Sequence, residues 1–225
     1  MKILILVLLI IILLSTFNKS TNNDINPIIN PIITVVNSEK ERSVIATKNI
    51  KKNTLIYVDT VTYHSYDDFE IIYNILNSND EQLINKYFNL VPDTIDEQCI
   101  SRKNILKILN NSKYKDYFKN VDIDTIRLLY EKLSRNNFCF NLNDYPNCES
   151  ALFIDSIYFN HSCSPNVLYY IINDKIYFYS IRDIYEGEEL YITYIDIFKN
   201  PSERSERKKQ LLKNYGFECN CELCN

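Results

Sequence analysis

The residues best suited to chemistry in this chain are thiols. Cys219-Asn220-Cys221-Glu222-Leu223-Cys224 sets three within six positions, and Cys163 stands upstream in Asn160-His161-Ser162-Cys163-Ser164-Pro165-Asn166. Four soft ligands are what a structural zinc ion takes. Cys163 is the candidate fourth ligand because it follows His161 in a compact polar turn, whereas Cys99, Cys139 and Cys148 have no partner at metal spacing. On spacing alone two other readings stay open, disulfides or plain buried thiols. Ser162 cannot act with adjacent His161 as nucleophile and base, because neighbours in sequence do not face each other that way. No glycine-rich phosphate loop is present, which argues against nucleotide-triphosphate chemistry.

The elements that must position these residues follow from periodicity. Ile32–Val36, Ser43–Thr47 and Thr54–Val58 are short, β-branched strand candidates. From about residue 66 to 138 the period becomes helical: Phe69, Ile72, Tyr73 and Leu76, then Leu83, Tyr87 and Phe88, then Ile105, Ile108 and Leu109, then Ile126, Leu129, Tyr130 and Leu133. Asp122 or Asp124 is the expected cap of the last of these helices. Strands return over Asn166–Ile172 and Lys175–Ile181, joined by an Asn173-Asp174 hairpin turn, and over Glu189–Ile195. Ser202–Tyr215 is a charged amphipathic helix with Leu211, Leu212 and Tyr215 inward. Strands, helices, then strands predict an α+β fold.

The same segments carry a resemblance. Asn160–Asn166 resembles the signature of SET-domain lysine methyltransferases. Arg182-Asp183-Ile184-Tyr185-Glu186-Gly187-Glu188-Glu189-Leu190 with Thr193-Tyr194 resembles that family's second signature. Arg207, Lys208, Leu211, Tyr215, Phe217 and the terminal cysteines resemble the post-SET end of its SET-and-MYND branch. The likeness spans residues 136–224, with a weaker one over 38–60. It implies SET-type sheets over 38–198, a helical insert over about 66–138 and a zinc-bound post-SET tail over 199–225.

The resemblance also implies roles. The reaction would carry a methyl group from S-adenosylmethionine to a lysine amine on a protein, histone or other. Tyr194 would orient the amine. Asn160, His161 and Asn136 would contact the cofactor, and Phe217 would stack on its adenine ring. Cys163, Cys219, Cys221 and Cys224 would hold zinc and so fold the tail. Lys40 and Arg42 are further cofactor contacts, on an opening strand where Glu41 and Ser43 replace the glycines of the family's Gly-x-Gly. The MYND finger is expected to be missing, since Cys99 is the single cysteine between Val58 and Tyr130. A catalytically weak SET module acting as a binding or scaffold protein is the rival expectation.

The beginning of the chain points elsewhere. After Lys2, Ile3 to Leu14 are unbroken aliphatics, shorter than the roughly 20 residues of a membrane span. Residues 1–20 fit a signal or anchor-like segment, followed by a linker and first strand over 21–37. The family resemblance points to cytoplasm or nucleus, and residues 1–14 to the membrane or secretory pathway. A net charge of −4 gives no reason to expect direct nucleic-acid binding. A monomer is expected.

Overall fold

The computed structural model describes residues 32–37, 42–140, 148–195 and 203–225. Residues 1–31, and with them the anchor-like segment and most of the linker, lie outside the described residues, as does Lys40. Among the described residues no helix is long and apolar enough to cross a membrane.

The fold is α+β, built from small sheets around a helical insert. β1 (Ile33–Asn37) pairs antiparallel with β2 (Arg42–Ala46). β3 (Leu55–Thr60), β8 (Val167–Ile172) and β9 (Lys175–Ser180) form a three-stranded sheet with β9 central. β4 (Tyr63–Ser65), β5 (Phe138–Cys139) and β6 (Ser150–Leu152) form another around β6. In β9 the side chains alternate, with Ile176, Phe178 and Ser180 buried. That period of two puts Phe178 flat on Phe159, ring centroids 4.3 Å apart. The β8–β9 turn holds Asn173 at φ 54°, a left-handed conformation that asparagine tolerates.

The insert comprises α1 (Asp68–Leu76), α2 (Glu81–Phe88), α3 (Arg102–Asn111), α4 (Lys115–Phe118) and α5 (Ile123–Ser134). Four of these begin at a side-chain cap. Asp67, Asp80, Ser101 and Asp122 each accept a backbone N–H of the first turn. Such caps are worth about 1 kcal/mol apiece. The apolar stripes converge on one core containing Phe69, Ile72, Tyr87, Ile105, Leu129 and Leu133. The buried Tyr87 hydroxyl donates to the Leu129 carbonyl at 2.6 Å, tying α2 to α5.

One expectation changes, and one pairing is added. Glu189–Ile195 is not a continuous strand; only β10 (Tyr191–Ile192) is, paired in parallel with β7 (Asn160–His161). The flanking backbone spends its hydrogen bonds elsewhere. Leu190 N–H donates to Val44 O at 2.8 Å, and Tyr191 N–H donates to the Asn166 side chain at 2.7 Å. Cys139 and Cys148, without a partner at metal spacing, are joined by a disulfide across the end of β5.

Candidate active site and metal centre

The β7–β10 pair crosses the two sequence signatures. Asn166, only 1% exposed, fastens the crossing: its amide donates to Glu189 O at 2.8 Å and to Glu188 Oε1, while its oxygen takes the Tyr191 N–H. A buried asparagine with its donors and acceptor engaged costs little and fixes geometry. Asn166 closes the first signature, and its role as the fastener of the crossing shows only in the fold. Ser162 N–H then donates to Ile192 O at 2.9 Å and continues the register.

This crossing brings most of the expected site residues together. Tyr194 follows β10. Its backbone N–H donates to His161 Nδ1 at 3.0 Å, and its hydroxyl donates to Phe159 O at 2.7 Å. The aromatic neighbours are His161 at 5.4 Å, Tyr215 at 5.0 Å and Phe217 at 6.3 Å between ring centroids. Desolvation pushes the Tyr194 phenol well above its ordinary range, so the group is neutral. Asn160, beside His161 on β7, donates to Arg42 O at 2.7 Å and to Glu189 Oε1 at 2.9 Å. Arg42 therefore meets this site through its carbonyl, while its guanidinium lies 5.6 Å from the centre of the Tyr158 ring.

Asn136 serves the insert. Its amide donates to Val91 O and Lys132 O, each at 2.8 Å, just past the end of α5. Lys132, one turn earlier, donates to Leu90 O and Pro92 O, so two side chains hold three successive carbonyls. Burial lowers the Lys132 pKa to about 8. The link from this end of α5 to the tail is the neighbouring Arg135. It is buried, bonded to Glu131 and Asp96, and packed on Gly216, the residue before Phe217. Nothing in sequence spacing marks Arg135 as a contact of Gly216.

The tail begins with α6 (Arg204–Tyr215), ended by Gly216 at φ 77° with its N–H on Leu212 O. This is the left-handed stop that glycine supplies. The chain can then turn sharply, and Phe217 comes 6.0 Å from the His161 ring. Tyr215 donates to Tyr194 O at 2.9 Å and holds the helix against the site. A cleft of about 380 Å³ opens between α5 and the end of α6, with Tyr130, Ser134, Asn214 and Tyr215 on its walls.

The four expected cysteines converge behind Phe217. The sulfurs of Cys163, Cys219, Cys221 and Cys224 all lie within 4.8 Å of one another, and Cys163 and Cys224 are 3.6 Å apart. Tetrahedral zinc with Zn–S bonds near 2.3 Å needs sulfurs about 3.8 Å apart. None of the four is in a disulfide, and three are buried. The donor set, spacing and burial fit a structural zinc. Two cationic or N–H groups face the sulfurs: His161 Nε2 lies 3.3 Å from Cys163 Sγ, and Arg207 Nη2 lies 3.9 Å from Cys224 Sγ while donating to Leu223 O at 2.6 Å. Burial, and then Arg207, lower the His161 pKa to about 4, so the ring is neutral.

The SET-domain family model matches residues 41–195. The chain belongs to the SET-domain family. Putative SET domain-containing protein L678 of Acanthamoeba polyphaga mimivirus is 34% identical over 201 residues, covering 83% of this chain and 74% of its own length. SET domain-containing protein DDB_G0283443 of Dictyostelium discoideum is 32% identical, covering 69% of this chain and 45% of its own. N-lysine methyltransferase SMYD2-B of Danio rerio is 33% identical over 115 residues, covering 50% of this chain and 25% of its own. This SET-domain chain thus spans three quarters of L678 but a half or less of the other two. The structure of the SET domain of LSMT bound to lysine and AdoHcy superposes with a TM-score of 0.56 at 14% identity, over 95% of this chain and 57% of that one. That likeness establishes the SET fold.

Proposed function

We propose that this SET domain is a protein-lysine N-methyltransferase using S-adenosylmethionine. The observation that carries the reading is the hydrogen-bonding state of Tyr194. Its hydroxyl proton is committed to Phe159 O, so its oxygen offers lone pairs to an incoming amine N–H. When bound, S-adenosylmethionine supplies an electrophilic methyl group on a sulfonium. A lysine amine must be neutral to attack it, and the aromatic surroundings of Tyr194, Tyr215 and Phe217 favour the neutral form by excluding water. The amine loses its proton to solvent before transfer. The chain then contributes alignment, which Tyr194 provides by accepting from the amine.

Asn160, His161 and the Arg42 carbonyl form one side of the cofactor site and Phe217 the other. The LSMT structures with AdoMet or AdoHcy support this choice of donor, and the methyltransferase names of SMYD2-B and of set5 from Schizosaccharomyces pombe support lysine as acceptor. Zinc on the four cysteines is structural, holding Phe217 in place. The substrate is a protein presenting a lysine, histone or other, met by a monomer without nucleic acid. Isothermal titration with S-adenosylmethionine tests cofactor binding, and mass spectrometry of methylated lysines tests transfer.

A second reading, a binding or scaffold module, is favoured by β2. Ser43 stands where the resemblance expects glycine, on a strand already enclosed by β1 and by the Glu188–Leu190 segment. Failure to bind S-adenosylmethionine would select that reading.

A further inference from the structure

The two nitrogens of His161 face different parts of the molecule, and their partners determine which one carries the proton. A backbone N–H can only donate. Because Tyr194 N–H points at Nδ1 from 3.0 Å, Nδ1 must present its lone pair. With the lone pair at Nδ1, the ring proton is on Nε2, which lies 3.3 Å from Cys163 Sγ. His161 is 8% exposed and Cys163 1%, so both bonds lie in a largely desolvated setting, where they are stronger.

We propose that the His161 side chain is a positioning residue that couples the metal centre to the active-site tyrosine, donating from Nε2 to the Cys163 thiolate and accepting the Tyr194 N–H at Nδ1. The sulfur of a bound metal stays fixed in distance and direction. Through Nε2–H it fixes the ring, and through Nδ1 the ring fixes the backbone from which the Tyr194 phenol projects. The N–H···S bond also draws charge from the thiolate and slows metal loss. This role uses both ring nitrogens, so the side chain has none left for a bound cofactor. The inference rests on the metal reading of the four cysteines, and its test separates the two.

The full chain is loaded with cadmium-113 and the imidazoles are read by nitrogen-15 NMR. The chain has two histidines, and the other, His64, is set apart by its Glu149 partner at Nδ1, so assignment is direct. Cadmium content is measured first. Fewer than one cadmium held by the four thiols refutes the metal reading, and the coupling with it. With cadmium bound, the expected result is an Nε2–H tautomer at His161 and a scalar coupling from that proton to the metal. An Nδ1–H tautomer, or no coupling, overturns the proposal and leaves the metal reading intact.

Two variants separate the arms. Asparagine places its amide near Nδ1 and glutamine near Nε2. His161→Asn should keep an acceptor for Tyr194 but release metal to a chelator about 10- to 100-fold faster, the usual scale for losing an outer bond to a ligand. His161→Gln should retain metal. Exchanging zinc for cadmium should shift the Tyr194 amide resonance in the native chain and not in His161→Asn. Equal metal release in all three proteins would overturn the proposal.

Discussion

Arg135 rests its guanidinium on the backbone of Gly216, so that a Cβ added to the glycine would lie 2.2 Å from Nη1. This contact joins the helical insert to the tail that carries Phe217. Gly216 is constrained twice, by that approach and by its φ of 77°. Gly216→Ala is expected to lose about 1–3 kcal/mol, the range for backbone strain of this kind. It should also weaken S-adenosylmethionine binding, because Phe217 must shift with the turn. Thermal melts and titration calorimetry check both. An alanine variant with native affinity would detach Phe217 from the strut.

The strut predicts a pH dependence. Asp96 holds Arg135 through two bonds of 3.0 and 3.1 Å, and that hydrogen bonding lowers the Asp96 pKa to about 2. The folded value lies below the unfolded value of about 3.9, so the stabilisation is complete above pH 4 and is lost as pH falls through about 2. The melting temperature should fall between pH 4 and pH 2, and less steeply in Asp96→Asn. Partial exposure of Asp96 keeps the effect modest. Identical acid profiles would show that the pair does not contribute.

Removing one thiol tests the tail. Cys221→Ser is expected to lose zinc, because three thiolates and a hydroxyl no longer match the ion. The tail is too short to fold on its own core, so cofactor binding should fall at least about 10-fold with the metal. Metal analysis and calorimetry on the same sample decide this. Native cofactor affinity without metal would remove Phe217 from the pocket.

Tyr194→Phe removes the oxygen that accepts from the amine but keeps the ring between His161, Tyr215 and Phe217. Cofactor affinity should stay within about 3-fold, while transfer falls about 100-fold, the scale of a misplaced reactant. Single-turnover rates at saturating cofactor separate the two effects.

The legible parts of this fold are those set by local chemistry. The cap at Asp122 and the apolar spacing of the insert are visible in sequence because a helix satisfies its own first turn, and the structure adds caps of the same kind at Asp67, Asp80 and Ser101. The terminal cysteines are legible as a group because three fall within six positions, but spacing alone leaves disulfides and buried thiols open, and it is the structure that brings Cys163 to them. Tyr194 is one of 18 tyrosines, and only the family signature distinguishes it. The broken strand at Glu189–Ile195 could not be read from alternation, because Asn166 and β2 take its hydrogen bonds from far along the chain. The Arg135–Gly216 contact and the His161–Cys163 bond are likewise products of tertiary geometry. Asn136 is marked by the resemblance, but the bonds of its amide to Val91 O and Lys132 O are likewise set by tertiary geometry.

Methyl transfer to lysine at the Tyr194 site is open to one direct measurement. The most direct test incubates the zinc-loaded full chain with isotope-labelled S-adenosylmethionine and lysine-rich proteins, histones among them, and locates the label by mass spectrometry. Label is expected on lysine amines with the native chain, and nearly all of it should be lost with Tyr194→Phe. Cofactor binding with no label on any lysine, or equal labelling by the two proteins, would contradict it.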